Sequence, residues 1–504
     1  MEIKQLEAHT LDTRAVRDLY EIGRALARNG HLDKATACFK KALELSPESA
    51  AIRAELIWTR RQSCDWRNFA EDDAWLQLAA DSGGEGFSPF FQLLSDTGPA
   101  AALTAARRWS RTQKQVSLPP FVHPRRAEPR IRLGYLSADF RRHATSCLVR
   151  ELFERHDRSR FDVIGYSIGA DDGGEERRSV AAALGSLVDL HGADDATAAT
   201  RIYEDGIDIL VDLNGYTLGA RTGILARRPA PVQVNFLGYP GTMGAGFVDY
   251  IIADAVILPP DQRQFYDECV AWMPECYQPN DVRRHEGTVS PGRTAFGLPQ
   301  TGFVFCCFNA LWKLTPTIFA LWMRLLTATP GSVLWLLGAG GPAPDHLCRE
   351  AAAHGVAPER LIFAAQRPAA EHLARQHAAD LFLDTLPCTA HTTAADALWE
   401  GLPLLTCRGT GFAGRVAASL LQAALLPELV TTNLAEYEAM ALRLAREPAT
   451  LAALRARLRR RRGPLFDMAR YASHLEAAYR RMADCWRAGE PPRCFSVDPL
   501  PIQP

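Results

Sequence analysis

Residues 380–407, DLFLDTLPCTAHTTAADALWEGLPLLTC, pass from an apolar run to a helical pattern and back. DLFLDT has the length and composition of a buried strand, TTAADALWEG reads as a helix closed by Gly401, and PLLTC as a second strand. Strand, crossover helix and strand predict a βαβ unit with parallel strands. The polar group His391-Thr392-Thr393 then falls in a β-to-α turn at the carboxyl edge of a sheet. A helix start there offers unpaired N–H groups and the positive end of its dipole. Two threonine hydroxyls and a histidine ring nitrogen add to it, so the turn suits phosphate oxygens without a glycine-rich loop. Asp396, one turn on, is placed to accept bonds from ribose hydroxyls. A second reading fits the same letters: Thr392 as an ordinary helix cap, and His391 as a surface residue.

The rhythm extends in both directions. FVFCCFN (303–309), SVLWLLG (332–338) and RLIFAA (360–365) read as strands, with helices at 316–328, 344–354, 370–378 and 392–400. Upstream, IRLGYLSAD (131–139), FDVIGYSI (161–168), DILVDLNGY (208–216), PVQVNFLGY (231–239) and DYIIAD (249–254) repeat the texture. The expected class is therefore α/β: two Rossmann-like halves facing a cleft, with ligands beyond the carboxyl ends of the strands. Before them, residues 16–49 carry one tetratricopeptide-like unit, its pattern filled by Gly23, Gly30, Ala35, Phe39, Ala42 and Pro47. One unit cannot bury its own face, so it should dock on helices within about 50–117.

The expected organisation is a helical region at 1–117, a linker LPPFVHPRR (118–126), and a first lobe at 127–292. A second lobe follows at 293–465, then a C-terminal helix and tail at 466–504. The basic run RARLRRRRG (455–463) reads as a solvated helix face rather than a nucleic-acid site.

At 504 residues, 47% hydrophobic and 23% charged, the chain has the make-up of a globular protein of two or three domains. Its 57 basic and 58 acidic residues leave a net charge of −1, with no excess to favour nucleic acid or an anionic membrane. The polar start MEIKQLEAHTLDTRAV is not a signal peptide, and no apolar run reaches the roughly 18 residues that span a bilayer. A cytoplasmic protein is expected. The 12 cysteines lie scattered without a CxxC pair, so they read as reduced and mostly buried, with neither a disulfide frame nor structural zinc.

Further polar groups share the address of the opening turn. Lys313 follows strand 303–309 just before a helix opening at Pro316, where an ammonium could neutralise a diphosphate or simply be an exposed loop residue. His372 and Arg375 stand at i and i+3 on one helical face. His143 follows the first strand of the other half. Asn214, Gly215 and Tyr216 end the strand at 208–216, and LGYPGTMGAG (237–246) is a glycine-rich turn without the spacing of a dinucleotide fingerprint.

With DLNGYTLGAR, RPAPVQVNFLGYPGT, FNALWK, SVLWLL and AHTTAADALWEGLPLLT in order, the chain resembles the protein O-GlcNAc transferase and SPINDLY family, glycosyltransferase family 41. Short bacterial members are the most similar kind. The resemblance covers roughly residues 15–490, including CDWRNF (64–69). It implies a GT-B fold and inverting, metal-independent transfer with no cofactor. The implied donor is the nucleotide-sugar UDP-GlcNAc, and the acceptors are serine or threonine of cytosolic proteins.

By motif, the resemblance assigns Lys313 to the leaving diphosphate, His391, Thr392 and Thr393 to its phosphates, and Asp396 to the ribose. His372 and Arg375 go to the nucleotide-base side, and His143 beside sugar and acceptor. His143 and then Asp208 are the candidates to take the acceptor proton. Ala310 stands where animal members have a glutamine and Ala369 where they have a lysine near the base. Asp208 and Cys147 each replace a histidine. Rival readings are a protein glycosyltransferase with another donor or acceptor (asparagine N-glucosylation, or O-fucosylation from GDP-fucose), a small-molecule GT-B enzyme, and a non-catalytic tetratricopeptide scaffold.

Overall fold

The Val, Ile and Leu runs fold into short strands buried on both faces, as parallel sheets covered by helices require. The computed structural model describes residues 2–82, 87–113, 121–125, 129–283, 292–338, 340–460 and 463–501. In the first lobe β1 is Ile131–Ser137, β2 Phe161–Ser167, β3 Leu187–Asp189, β4 Ile209–Asp212, β5 Val232–Asn235, β6 Tyr250–Asp254 and β7 Cys269–Met273. In the second, β8 is Val304–Cys307, β9 Val333–Leu337, β10 Leu361–Ala364, β11 Leu381–Leu383, β12 Leu404–Cys407 and β13 Val430–Thr431. The last strand, β14 (Phe495–Ser496), returns to the first lobe.

The sheet orders are β14-β7-β6-β5-β4-β1-β2-β3 and β10-β9-β8-β11-β12-β13. Neighbours in both run parallel, as in β1–β4, where Leu136 stands beside Asp212, and β8–β11, where Cys306 stands beside Phe382. Strand order reverses between β1 and β4 in one sheet and between β8 and β11 in the other. Crevices open at such points, and here two of them serve one interlobe cleft. This is the GT-B arrangement.

Helix starts follow local chemistry. Thr315 caps Pro316–Ala328 by accepting the Ile318 amide at 3.4 Å, with Pro316 in the first turn where its missing N–H costs nothing. Ile318, Phe319, Leu321 and Trp322 are buried along this helix. The helix expected at 370–378 is α-helical over Ala369–Ala374 and tightens to 3₁₀ over Arg375–Ala378. Strands β3, β13 and β14, of two or three residues, went unread, as did β7, whose CVAWM is apolar throughout.

In the N-terminal region, helices Glu2–Arg28 and Leu32–Leu45 close on one another around Phe39. Gly23 permits that approach, since a Cβ there would lie 2.6 Å from the Phe39 ring. The pair docks on helix Ala50–Gln62 through Ile52 and Leu56. From there the region grips both lobes. Trp58 packs on Trp312 at 5.3 Å between ring centroids, and Trp66 on Phe319 at 5.4 Å. On the other side, Ser110 of helix Gly98–Gln113 donates to the Gly244 carbonyl at 2.7 Å. Gly244 has φ +53°, and a Cβ there would meet the Arg107 amide at 2.5 Å.

The C-terminal helix Met468–Arg487 leaves the second lobe and packs on the first. Its Glu476 carboxylate accepts the Asp157 amide at 2.8 Å and lies 3.0 Å from His156 Nδ1. In the basic run, Arg455 donates to the Asp380 carbonyl at 3.2 Å and Arg457 pairs with Glu428. Residues 461–462 of that run lie outside the described residues, as do 118–120 and 126 of the linker. Among the described residues no helix is long and apolar enough to cross a membrane.

At the reversal point β4 ends in Asp212, a carboxylate 4% exposed that accepts the Asn214 and Gly215 amides at 3.0 Å each. Burial pushes its pKa up to about 7. An aspartate of the unfolded chain ionises near ~3.9. Between that pH and about 7 the folded chain therefore keeps a proton that the unfolded chain has lost, and stability falls as pH rises through the window. Denaturant titrations of the parent and of Asp212→Asn at pH 5 and pH 8 should show the variant gaining relative to the parent at the higher pH. Between those two pH values the expected gain is on the order of 3 kcal/mol. A gap independent of pH would mean that Asp212 ionises like an exposed aspartate.

Candidate active site

The second lobe's half is built around Asp384, just past β11 and 1% exposed. Its carboxylate accepts the Thr385 amide at 2.8 Å, the Ala390 amide at 2.7 Å, the Thr406 hydroxyl at 2.7 Å and Asn309 Nδ2 at 3.1 Å. Asn309 lies two residues past β8, so a single side chain joins the ends of both reversal strands, β12 and the turn between. Thr393 closes the ring by donating to Asn309 Oδ1 at 2.5 Å. The turn leads into helix Thr392–Trp399, whose first amides open toward the cleft. Lys313, at the end of the 3₁₀ turn Leu311–Lys313, donates to the Thr389 carbonyl at 2.7 Å. Its ammonium thus stands at the mouth of that helix, 5.6 Å from the centre of the Trp312 ring.

His391 plays a different part from the one its position suggests. Its Nε2 lies 3.4 Å from the Ala413 carbonyl and donates to it, which leaves Nδ1 with a lone pair. Burial and the neighbouring Lys313 hold its pKa well below the usual value, so the ring is neutral. Thr389 also donates to Ala413, through its amide at 3.0 Å and its hydroxyl at 2.8 Å. The ring therefore fastens the turn to residues 412–414, and with the Thr393 hydroxyl given to Asn309 the donors left for an anion are the helix amides, the Thr392 hydroxyl and Lys313. Asp396 is buried on the following turn, 5% exposed.

His372 and Arg375 do share a face: the guanidinium contacts His372 Nδ1 and donates to the Ala365 carbonyl at 2.7 Å. Arg375 itself is 1% exposed, set against the Phe308 and Trp335 rings at 5.0 and 5.9 Å. Burial lowers its pKa to about 10. It orients His372 and also reaches the wall of the cavity beside it. Beside them opens a cavity of about 980 Å³, walled by Gln366, Arg367, Ala369 and His372 of the second lobe and by Arg142 and Asp172 of the first. Ala369 offers this space no donor, whereas Arg367 does.

In the first lobe, Asn214 donates to the Asp139 carboxylate at 2.8 Å and accepts the Ala138 amide at 2.6 Å, joining the loops after β4 and β1. His143 caps helix Ala144–Arg155 by accepting the Thr145 amide on Nδ1 at 3.2 Å. That bond puts the ring proton on Nε2, so the partly exposed face of His143 is a donor. Burial lowers its pKa, opposed by Asp139 at 3.7 Å and reinforced by Arg141. Asp139 and Asn309 escaped the sequence reading; the cue for both was a polar residue two places past an apolar strand.

Asp208 has to be withdrawn from the site. It lies before Ile209, at the amino edge of β4, where its carboxylate accepts the Arg132 amide at 2.8 Å. Asp249 does the same for Gln233 at 2.7 Å and Asp380 for Val304 at 2.8 Å. The three aspartates cap the first amides of neighbouring strands, on the edge away from the cleft.

The lobes meet directly below the cleft. Ser419 donates to Asp254 at 2.6 Å, Arg415 to the Val256 carbonyl at 3.2 Å and Gln262 to the Thr410 carbonyl at 3.2 Å. Thr410 also donates to Asp96 of the helical region. Among the described residues no three or more His, Cys, Asp or Glu side chains gather to hold a metal ion.

Comparison with known proteins agrees with this geometry. The model of glycosyl transferase family 41 matches residues 105–287 and 283–475, and that of the tetratricopeptide repeat residues 16–49. The chain is 35% identical over 466 residues to an Arabidopsis thaliana protein named "Probable UDP-N-acetylglucosamine–peptide N-acetylglucosaminyltransferase SEC", covering 88% of this chain and 48% of that one. It is 29% identical over 490 residues to the UDP-N-acetylglucosamine–peptide N-acetylglucosaminyltransferase of Caenorhabditis elegans, covering 74% and 43%. The chain thus spans about half the length of the curated relatives it matches. A mutant O-GlcNAc transferase of Thermobaculum terrenum superposes with a TM-score of 0.82 at 30% identity, over 94% of this chain and 92% of that one. Sucrose-phosphate synthase from Thermosynechococcus elongatus, at TM-score 0.50 and 14% identity over 71% of this chain and 100% of that one, shares the fold alone. Two matched lobes and a matched repeat leave one conclusion: this chain belongs to glycosyltransferase family 41.

Proposed function

We propose that the chain is an inverting protein O-glycosyltransferase that moves N-acetylglucosamine from UDP-GlcNAc to serine or threonine of cytoplasmic proteins. The observation that carries the reading is the bond from the Lys313 ammonium to the Thr389 carbonyl, 2.7 Å, beside the amide end of helix Thr392–Trp399. An ammonium and a helix dipole converge on one spot, the arrangement that stabilises a departing diphosphate. The similar proteins of Arabidopsis, Caenorhabditis and Thermobaculum carry names for the same transfer.

In this reaction an acceptor hydroxyl attacks the anomeric carbon from the face opposite the diphosphate. The bond from that carbon to the phosphate oxygen breaks, and negative charge gathers on the nucleotide. Lys313 and the Thr392 and Thr393 amides act where that charge grows, and so favour the transition state over the ground state. His391 keeps the turn in shape, and Asp396 is the acid nearest the ribose. The cavity beside His372 takes the base. His143 presents Nε2–H to an oxygen of the sugar or acceptor, and the acceptor proton leaves to water in the cleft.

A second reading keeps the chemistry and changes the donor. It rests on the base-side wall, where Ala369 and Arg367 stand together. Thermal melting with UDP and with GDP separates the two, since a bound nucleotide raises the melting temperature by mass action.

The reading as a whole is tested by incubating the full chain with UDP-GlcNAc, UDP-glucose or GDP-fucose and proteins of the same cell. UDP release and acceptor mass gain of one N-acetylhexosamine on serine or threonine are expected; nucleotide-sugars left intact with every acceptor would overturn it. Lys313→Ala should lower kcat at least about tenfold, a loss of ~1.4 kcal/mol of transition-state stabilisation. Full activity would remove the leaving-group role. His143→Gln retains an N–H donor and should keep more activity than His143→Ala. Equal losses in the two variants would point to a base instead.

A further inference from the structure

The ammonium of Lys313 rides on a turn that does little to hold itself. The 3₁₀ turn Leu311–Lys313 is closed by the Lys313 amide on the Ala310 carbonyl and the Leu314 amide on the Leu311 carbonyl, 3.0 Å each. Such turns have poorer hydrogen-bond geometry than an α-helix. Outside contacts therefore decide where it lies. Leu311 is buried in the core of the lobes, and its carbonyl accepts from the Cys64 thiol of the helical region at 3.6 Å. Trp312 instead packs against the core of the helical region, the cluster that holds Ala54, Ile57, Leu76 and Phe87.

Two rings from that region meet Trp312. Trp58 stands 5.3 Å from it between centroids, inclined by 50°, and Phe90 lies 6.3 Å from Trp312 and 5.3 Å from Trp58. All three separations fall in the range of about 4.5–7 Å at which ring pairs attract. The Trp312 face in turn carries the Lys313 ammonium, 5.6 Å from its centre and within the ~6 Å reach of a cation–π contact. A ring face attracts an ammonium without occupying any of its N–H groups, which stay available to acceptors. One of them goes to the Thr389 carbonyl at 2.7 Å. The carbonyl gives the ammonium its direction, and the ring gives it a fixed seat.

We propose that Trp58 is a positioning residue for the transfer: it fixes the Trp312 ring, and through that ring holds the Lys313 ammonium where the diphosphate departs. The inference rests on the leaving-group role proposed above for Lys313. Trp58 acts only through Trp312. Without the Trp58 ring, the Trp312 indole loses a wall on the helical side and can turn about its side-chain bonds, and the ammonium loses its seat. The Thr389 bond remains, so the donor still binds, but the charge gathering on the departing oxygens meets a misplaced cation. Misplacement by about 1 Å is enough to slow an enzyme. The helical region thereby adds to the rate of transfer.

Trp58→Leu keeps an apolar side chain and removes the ring, and Trp58→Phe restores one. With UDP-GlcNAc as donor and UDP release as the readout, Trp58→Leu should lower kcat about fivefold and change KM less than about twofold. Trp58→Phe should recover most of the loss. In the Lys313→Ala chain the same Trp58→Leu change should alter kcat by less than about twofold, because its effect runs through the missing ammonium. Binding gives a readout that needs no turnover, since UDP carries the charge of the departed group and uridine carries none. Trp58→Leu should weaken UDP about threefold, leave uridine unchanged, and leave UDP unchanged in Lys313→Ala. Should Trp58→Leu fail to melt cooperatively, Phe90→Leu, which takes the other ring from Trp312, carries the same comparison. Equal losses in both backgrounds, equal weakening of UDP and uridine in a folded variant, or full activity of Trp58→Leu would each overturn the proposal. A parent chain that binds no UDP would take down the leaving-group reading first, and this one with it.

Discussion

Everything proposed for the cleft leans on one carboxylate held out of water. Asp384 sits where an unpaired charge would cost several kcal/mol, roughly, and is tolerated because donors meet both of its oxygens. Burial raises its pKa while those bonds and Lys313 pull the other way. What this arrangement secures is geometry. The bonds reach the end of β8, β12 and both sides of the turn at 385–390, so the Thr389 carbonyl cannot move far from Lys313. Tyr437 adds a further tie, donating to the Asp384 carbonyl at 3.1 Å. The ammonium is aimed by the turn, and the turn by a group no ligand needs to touch.

A comparable logic joins the helical region to the site. Trp58 and Phe90 pack on Trp312, 5.3 and 6.3 Å between centroids, and Trp312 precedes Lys313. Aromatic pairs of this kind contribute about 0.5–1.5 kcal/mol each beyond their buried area. The Leu311 carbonyl of the same turn accepts from Cys64 at 3.6 Å. A single tetratricopeptide-like unit is too short to stack into a superhelix, yet its neighbouring helices close one side of the leaving-group pocket. The helical region is therefore a wall of the site proposed here.

Periodicity made much of this legible. Runs such as VFCC and VLWLL are apolar at every position because parallel strands are covered on both faces, and helices between them carry caps and closing glycines. Lys313, His372 and the turn at 391–393 were readable for the same reason: polar letters just past an apolar run belong to the carboxyl edge. Asp208 shows where that rule breaks. A polar residue before an apolar run belongs to the opposite edge, and its motif neighbourhood, DILVDLNGY, hid the difference. Asn309 and Asp384 were visible as letters, but their bond spans 75 residues of sequence and only the β8–β11 register brings them together.

Tautomers were beyond the reach of letters altogether, and they change the chemistry most. A histidine at a helix start reads as a nitrogen free to serve the substrate, but each of the two here is already engaged by backbone. His143 accepts an amide on Nδ1 and His391 donates to a carbonyl from Nε2, so the first shows the cleft a proton and the second keeps a lone pair. Positive partial charge thus faces the cleft from both lobes, from His143 Nε2–H on one side and Lys313 and the helix amides on the other. A site organised this way is complementary to a dianionic leaving group and to electron-rich sugar oxygens. In the transfer proposed above, proton removal is assigned to water, which costs little when departure of the diphosphate, rather than nucleophile strength, sets the barrier.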